Sequence, residues 1–213
     1  MEYSVIIAAA GSGKRMNLGY NKILYKHENS TIIEKSIEPF LEDPECKKII
    51  AVVSSSDLDY IKTLLSLPKI IVIEGGNTRE ESVYEGIKII ETEYVLVHDA
   101  ARCNIKKELI KRVTQSLKEG FVNIIPTIKS KDTCLIDGKH NQDLNIKLIQ
   151  TPQGFPTKIL LKAMNLAKEE NKLSSFKDDS SVVEKYLGFP ATEVEGDFLN
   201  IKMTTIEDLK CII

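Results

Sequence analysis

The sequence predicts an α/β fold with a doubly wound, mostly parallel sheet and a short protruding β-arm. Short apolar runs recur along the chain, and stretches with helical periodicity separate them. That alternation favours right-handed crossovers with helices on both faces of the sheet. Polar, glycine-containing segments follow several of the apolar runs, and ligands bind at those strand ends in such sheets.

The first apolar run, from Val5 to Ala9, stops before Gly11 and is typical of a strand buried on both faces. Further strands are predicted at 49–53, 70–73, 94–97 and 122–125. Helices are predicted between them at 31–41, 58–65, 80–90 and 107–118. The first half of the chain therefore alternates strand and helix.

The second half is less regular. Residues 129–148 form a polar stretch around Asp137-Gly138, a dipeptide typical of hairpin turns, and we expect a two-stranded arm there. Beyond Pro152 we expect helices at 158–168 and 180–186, strands at 192–195 and 199–203, and a closing helix. The length suits a single domain over residues 1–213.

The composition is that of a soluble globular protein, with 42% hydrophobic and 28% charged residues. A net charge of -2 argues against broad binding to nucleic acid or to anionic membranes, so neither is expected as a partner. The four cysteines lie far apart without a Cys-x-x-Cys pair, and we interpret them as free thiols of a reducing compartment. The N-terminal apolar stretch resembles neither a membrane span nor a signal peptide, so we expect a cytoplasmic protein.

A glycine-rich loop, Gly11-Ser12-Gly13-Lys14-Arg15, follows the first strand. Its backbone N–H groups and Arg15 are suited to a triphosphate, and an ordinary glycine turn is the alternative. A Walker A loop is excluded because Ala8 and Arg15 occupy two of its required positions. A dinucleotide-binding loop is disfavoured because Met16 stands where its third glycine belongs.

Other polar signatures fall at neighbouring strand ends. Lys22 adds a second cation after the first strand, and the segment from Gly75 to Ser82 places two glycines before a helix, where the backbone can approach a base. Its alternative is a simple helix entry. Asp99 leaves a buried strand end in a His-Asp-Ala-Ala-Arg segment and is our candidate Mg²⁺ ligand, whereas His98 is interpreted as structural. Lys202, in an alternating segment, faces either phosphate or solvent.

Several segments taken together, AAAGSGKRM, GGNTREESVYEGI, VLVHDAAR, KDT, QTPQGF and EGDFLNIKMTT, occur in this order over nearly the whole chain. They resemble the 2-C-methyl-D-erythritol 4-phosphate cytidylyltransferases of isoprenoid precursor synthesis. The ribitol 5-phosphate cytidylyltransferases share most of them. The resemblance implies a Rossmann-like nucleotidyltransferase that uses CTP, a small polyol phosphate and Mg²⁺, and that forms a homodimer through the arm.

The resemblance also implies roles for single residues. Those assigned to the nucleotide are Ala9, Ala10, Gly11, Gly13, Gly76, Asn77, Ser82 and Ala100. Those assigned to catalysis are Arg15, Lys22 and Lys202, which stabilise charge as an acceptor phosphate oxygen attacks the α-phosphorus of CTP. Those assigned to the acceptor are Asp99, Arg102 and Thr133, with Asp99 also the metal ligand.

The sequence departs from the family pattern on the acceptor side. Asp143 stands where the family usually carries an arginine, eight residues before Thr151, and the stretch between Thr133 and Thr151 is shorter than the usual arm. Lys139, His140 or Lys147 are candidates to replace the missing charge. Lys177 and Cys103 stand where threonine and proline are usual. Two alternatives therefore stay open: a different polyol phosphate such as ribitol 5-phosphate, or CTP binding without transfer.

Overall fold

A computed structural model describes residues 1–11, 16, 18–140 and 145–213, except for the side chains of residues 136, 139 and 140. The β-strands are β1 (Tyr3–Ala9), β2 (Lys26–His27), β3 (Ser30–Thr31), β4 (Cys46–Val53), β5 (Ile70–Glu74), β6 (Tyr94–Asp99), β7 (Ile124–Lys129), β8 (Leu135–Ile136), β9 (Lys139–His140), β10 (Lys147–Ile149), β11 (Gln153–Pro156) and β12 (Thr192–Glu195). The α-helices are α1 (Ile32–Leu41), α2 (Leu58–Leu64), α3 (Arg79–Ile87), α4 (Lys107–Lys118), α5 (Thr157–Glu169) and α6 (Asp179–Leu187). Short 3₁₀ helices include Lys22–Leu24 and Glu207–Cys211.

The main sheet has the strand order β10-β7-β11-β6-β1-β4-β5, with β12 paired to β7. The strands β6, β1, β4 and β5 are mutually parallel, and β12 is parallel to β7. Strand β11 is antiparallel to β6 and to β7, and β10 is antiparallel to β7. The carboxyl ends of β1 and β6 therefore lie side by side, with Ala8 opposite Asp99.

Alternate residues of β1 serve the two faces of the sheet. Val5 and Ile7 pack in a core with α1, α2 and α4, whereas Ile6 packs in a second core with α3, α5 and α6. A third, smaller cluster joins Met16, Cys103 and Met203, so apolar contacts draw three separate loops together at one end of the sheet.

The sequence-based predictions for the first half are confirmed with small shifts in boundaries. Residues 107–118 form the predicted helix, and the strand predicted at 122–125 begins two residues later, at Ile124. In the second half, residues 192–195 form the predicted strand. The arm contains a separate hairpin of β8 and β9, whose turn residues Asp137 and Gly138 have φ angles of 49° and 75°. The four cysteines are free, as expected.

Two predictions in the second half are wrong. Residues 199–203 form no strand; their polar groups bond to loops instead, as when Met203 N donates to the carbonyl of Ala101 at 2.8 Å. The closing helix is only the 3₁₀ segment Glu207–Cys211. Strand β11 was not predicted either, because its four residues, Gln-Gly-Phe-Pro, lack a strand-like composition.

Gly154 in β11 is required by packing. A Cβ at this position would lie 2.6 Å from Cγ1 of Val113 and 3.2 Å from side-chain carbons of Leu96 and Leu117. We predict that Gly154→Ala lowers the free energy of unfolding by about 1–3 kcal/mol through overpacking. Urea denaturation measures this, and the same substitution in a Val113→Ala background should cost at least 1 kcal/mol less. An equal cost in both backgrounds would contradict the assignment of the clash.

Candidate active site at the carboxyl ends of the strands

A cavity of about 540 Å³ lies at the carboxyl ends of β1 and β6. Its walls come from the segment after β1, the 3₁₀ turn at Lys22, the start of α3, the end of β6 and the C-terminal segment. The lining residues are Ala8, Ala9, Ala10, Gly11, Lys22, Ile23, Asn77, Thr78, Arg79, Ser82, Asp99, Ala101 and Lys202. Sequence segments that are far apart therefore meet around one space.

The loop before α3 is held in one shape by its own side chains. Thr78 caps the helix by accepting from Glu81 N at 3.2 Å, and Glu81 Oε2 accepts from Asn77 N at 2.8 Å. Buried Ser82 donates to the carbonyl of Thr78 at 2.7 Å. A Cβ on Gly75 would lie 2.5 Å from Ser82 Oγ, so the close approach of loop and helix requires glycine there.

Asp99, the last residue of β6, is the electrostatic centre of the cavity. Its Oδ1 lies 3.1 Å from Nε of Arg79, and its Oδ2 lies 2.9 Å from Nζ of Lys202. Arg102 Nε lies 3.6 Å from the same Oδ2. Burial alone would raise the pKa of this carboxyl, but the three cations, with Arg79 the strongest, hold it below its usual range. Asp99 is therefore an ionised carboxylate at neutral pH.

The two predicted catalytic lysines meet at the C-terminal segment, which carries Lys202 and contacts Lys22. Lys22 sits in a 3₁₀ turn capped by Asn21, whose amide donates to Asp57 Oδ2 at 2.7 Å. Lys22 Nζ donates to the carbonyl of Met203 at 2.7 Å, next to Lys202 in the chain. Both lysines thus line the same cavity from elements that are 180 residues apart in sequence.

Arg102 stands beside this cavity and binds the segment that carries Lys202. Its Nη1 donates to the carbonyl of Asn200 at 2.7 Å, and its Nη2 to the carbonyl of Ile149 at 3.4 Å. Arg102 therefore connects the loop after β6 with β10 and the C-terminal segment.

His98 has the structural role that the sequence predicts. Its Nδ1 lies 3.0 Å from Thr151 Oγ1, which itself accepts from Asp99 N at 3.1 Å, and its Nε2 lies 3.2 Å from the carbonyl of Arg102. Because a carbonyl only accepts, Nε2 carries the proton and the Thr151 hydroxyl donates to Nδ1. A neutral His98 therefore fixes the turn from Asp99 to Arg102.

The structure brings together most of the predicted site residues. Ala9, Ala10, Gly11, Lys22, Asn77, Ser82, Asp99 and Lys202 all line the cavity. Ala100 is buried behind it and donates to the carbonyl of Ala8 at 3.1 Å, while Gly76 borders a neighbouring pocket of about 340 Å³. Thr133 is exposed between β7 and β8 and does not line the cavity, and Gly13 and Arg15 lie outside the described residues.

Sequence reasoning missed Arg79 and Asp179, which form an ion pair with two hydrogen bonds near the site. Arg79 Nη2 lies 2.8 Å from Asp179 Oδ2, and the Asp179 side chain is fully buried. The available signal was an arginine among carboxylates in GGNTREE, but an arginine in the first turn of a helix is usually solvated. The two carboxylates that Arg79 contacts, Asp99 and Asp179, lie 20 and 100 residues away in the sequence.

The Asp99 carboxylate suits a metal ion that takes its other ligands from water and a substrate. No group of three or more His, Cys, Asp or Glu side chains that could hold a metal occurs among residues 1–11, 16, 18–140 and 145–213. Mg²⁺ commonly takes only one or two carboxylates from the protein and the rest of its ligands from water and phosphates. A single ionised carboxylate on the wall of a cavity lined by lysines fits that pattern.

Comparison with known proteins assigns the chain to a family. The family model for IspD, 2-C-methyl-D-erythritol 4-phosphate cytidylyltransferase, matches residues 3–212. The chain belongs to this family. The 2-C-methyl-D-erythritol 4-phosphate cytidylyltransferases of Bacillus velezensis and Shouchella clausii are 34% and 36% identical to it. Each of these alignments covers 98% of the chain, and they cover 93% and 94% of the relatives.

Solved IspD structures share the fold. The Francisella tularensis enzyme superimposes with a TM-score of 0.83 at 30% identity, covering 99% of this chain and 97% of that one. The bifunctional IspDF of Campylobacter jejuni gives a TM-score of 0.87 at 33% identity over all of this chain, which spans 54% of the larger protein. The family and fold predicted from the motifs are confirmed. None of the helices in the described part of the chain is long and apolar enough to cross a bilayer.

The burial of His98 predicts an acid-sensitive fold. Burial lowers the pKa of His98 to about 4 from its ordinary 6.5, outweighing the nearby Asp99 carboxylate. The unfolded chain therefore binds more protons between these two values, so stability is present above pH 6.5 and is lost as the pH falls toward 4. Since one pKa unit corresponds to about 1.4 kcal/mol, the loss attributable to His98 is about 3 kcal/mol.

We predict that His98→Gln removes this part of the acid sensitivity. The glutamine amide supplies one hydrogen-bond donor and one acceptor in place of the two imidazole nitrogens, and it does not titrate. Urea denaturation at a series of pH values between 7 and 4 measures it for both proteins. The variant should be less stable at pH 7, and its stability should fall less steeply on acidification. Parallel curves for wild type and variant would show that His98 does not carry the effect.

Proposed function

We propose that this chain transfers CMP from CTP to 2-C-methyl-D-erythritol 4-phosphate and releases pyrophosphate, as the names of its relatives indicate for them. The observation that carries the proposal is the convergence of Lys22, Asp99 and Lys202 with the Gly75–Ser82 loop on one cavity. A phosphate oxygen of the acceptor attacks the α-phosphorus of CTP. The new oxygen–phosphorus bond replaces the bond from that phosphorus to the bridging oxygen, and pyrophosphate leaves with its electron pair.

The base and ribose are assigned to the rigid loop before α3, where Asn77 and Ser82 line the cavity and Gly76 lies next to it. The triphosphate is assigned to the segment after β1, where Ala10 and Gly11 offer backbone without bulky side chains. Lys22 and Lys202, with Arg15 as the family pattern implies, stabilise the negative charge that develops in the transition state. No general base is required, because a phosphate monoester is largely ionised at pH 7.

We also propose that Mg²⁺ accompanies CTP and that Asp99 holds it. When bound, the metal neutralises phosphate charge and orients the triphosphate. Asp99 is suited to this because its carboxylate stays ionised and its Oδ2 lies 2.9 Å from Lys202 and 3.6 Å from Arg102, two cations that also suit phosphate oxygens. Lys202 can therefore exchange the carboxylate for a phosphate while Arg79 keeps Oδ1.

We assign the acceptor phosphate to Arg102, Asp99 and Thr133. We also propose that the protein forms a homodimer and works in the cytoplasm. Large apolar side chains support self-association near the arm: Leu135 is 62% exposed, Leu148 52% and Phe198 50%. Lys147, a candidate replacement for the usual arginine, instead pairs with Glu193 at 2.7 Å. Asp143 lies outside the described residues, and the contribution of Lys139 or His140 stays a prediction.

We predict pyrophosphate release only when CTP, 2-C-methyl-D-erythritol 4-phosphate and Mg²⁺ are present together. A coupled pyrophosphate assay of the purified chain measures it, with each component omitted in turn and with ribitol 5-phosphate as a parallel acceptor. Lys22→Met should lower kcat by about 10²–10³-fold, because one preorganised charge contact is lost. Lys62→Met, an exposed lysine on α2, is the matched control and should leave kcat unchanged.

Faster release with ribitol 5-phosphate would assign the other acceptor. CTP binding by calorimetry without release on either acceptor would identify a binding protein that has lost transfer activity. Wild-type kcat in Lys22→Met would contradict the role of this cavity.

A further inference from the structure

Arg79 is the first residue of α3, and its guanidinium joins two carboxylates from different elements. Nε donates to Asp99 Oδ1 at 3.1 Å, while Nη1 and Nη2 donate to Asp179 at 3.2 and 2.8 Å. The two-pronged bond to Asp179 is the geometry in which arginine holds a carboxylate most firmly. One side chain therefore connects the start of α3, the end of β6 and the start of α6.

Asp179 is built as a fixed anchor. Its side chain is fully buried, and its backbone N donates to Oε1 of Gln153, which also accepts from Ser180 N. Gln153 itself belongs to β11, and its amide donates to Asp178 Oδ2 at 2.8 Å. Asp179 is therefore tied both to the sheet and to the first turn of α6, and these contacts fix its place relative to the cavity.

The bond from Arg79 to Asp99 does more than neutralise charge. Asp99 already has Lys202 at 2.9 Å and Arg102 at 3.6 Å, both on Oδ2. Arg79 bonds the other oxygen, Oδ1, and so fixes the direction of the carboxylate plane. A lysine in this place could not hold Asp179 with two bonds and Asp99 with a third, because its ammonium group is a point charge without a fork.

We propose that Arg79 is a positioning residue that orients the Asp99 carboxylate, with Asp179 as its buried anchor. This inference rests on the proposed function, since it gives Asp99 the place of metal ligand. Arg79 also follows Thr78, the cap that shapes the nucleotide loop, directly in the chain. The loop assigned to the base and the carboxylate assigned to the metal are therefore aligned by one anchored side chain.

The decisive variant is the double substitution Arg79→Gln/Asp179→Asn. Arg79→Gln alone leaves Asp179 as a buried, unpaired carboxylate and should lower Tm, whereas the double variant removes both charges and should recover most of that loss. Asp179→Asn alone keeps the bond from Arg79 to Asp99. Lys118→Ala, which breaks an exposed ion pair with Glu45, controls for loss of an arbitrary salt bridge.

We expect the double variant to lose about 10–10²-fold in kcat despite its recovered Tm, because a misoriented group costs rate without loss of folding. Its KM for CTP should rise by about tenfold, because binding of CTP together with Mg²⁺ is weakened as well, and Lys118→Ala should match wild type in both values. A double variant that recovers kcat together with Tm would show that the pair is only structural and would overturn the proposal. A loss confined to KM would do the same.

Calorimetry with CTP gives a second readout that does not depend on turnover. The gain in CTP affinity on adding Mg²⁺, relative to EDTA, should fall at least about tenfold in the double variant, while affinity in EDTA changes little. An unchanged gain overturns the proposal. If wild type binds CTP but transfers nothing, the proposed function fails while this measurement still decides the role of Arg79.

Discussion

The ionised carboxylate of Asp99, buried at the end of β6, is the interaction on which the site depends. A buried charge is costly unless it is paired and hydrogen-bonded. Here its partners come from three places: Arg79 from α3, Arg102 from the following turn and Lys202 from the C-terminal segment. The buried carboxylate is therefore stable only when α3, the turn after β6 and the C-terminal segment come together and bring these three cations to it.

The C-terminal segment illustrates how this condition shapes the backbone. The alternation of apolar and polar residues in Leu-Asn-Ile-Lys-Met favours a strand, yet residues 199–203 form no strand in the structure. Its polar groups are taken by the loops around the site instead: the carbonyl of Asn200 by Arg102, that of Met203 by Lys22, and the Asn200 amide by the carbonyl of Thr151. These hydrogen bonds hold the segment in place and keep Lys202 next to Asp99.

Much of the fold was predictable because buried parallel strands and amphipathic helices have strong local signals. Strand β1 and helix α4 show this, since the apolar run of one and the helical period of the other are unambiguous. Strand β11 was not predictable, because long-range contacts explain its residues. Gln153 accepts a hydrogen bond from the start of α6, and Gly154 leaves room for the side chain of Val113. Local propensity carries no information about either requirement.

The site residues also differ in whether local sequence signals or long-range contacts determine them. Asp99 could be proposed because it ends a predicted strand, where parallel sheets bind ligands. The catalytic roles of Lys22 and Lys202 were proposed from the resemblance to the family. Arg79 could not be proposed, because its role is set by carboxylates 20 and 100 residues away, and in the sequence it is one charge in the polar first turn of a helix. Residues that orient functional groups do so through contacts with distant residues, and these contacts exist only in the folded chain.

The most direct measurement is a crystal structure of the chain with CTP and Mg²⁺. We expect that the metal binds Asp99 and the triphosphate, that Lys22 and Lys202 contact phosphate oxygens, and that Arg79 still bonds both Asp99 and Asp179. A nucleotide bound elsewhere, or a triphosphate in this cavity with Asp99 still paired to Lys202 and without metal, would contradict it.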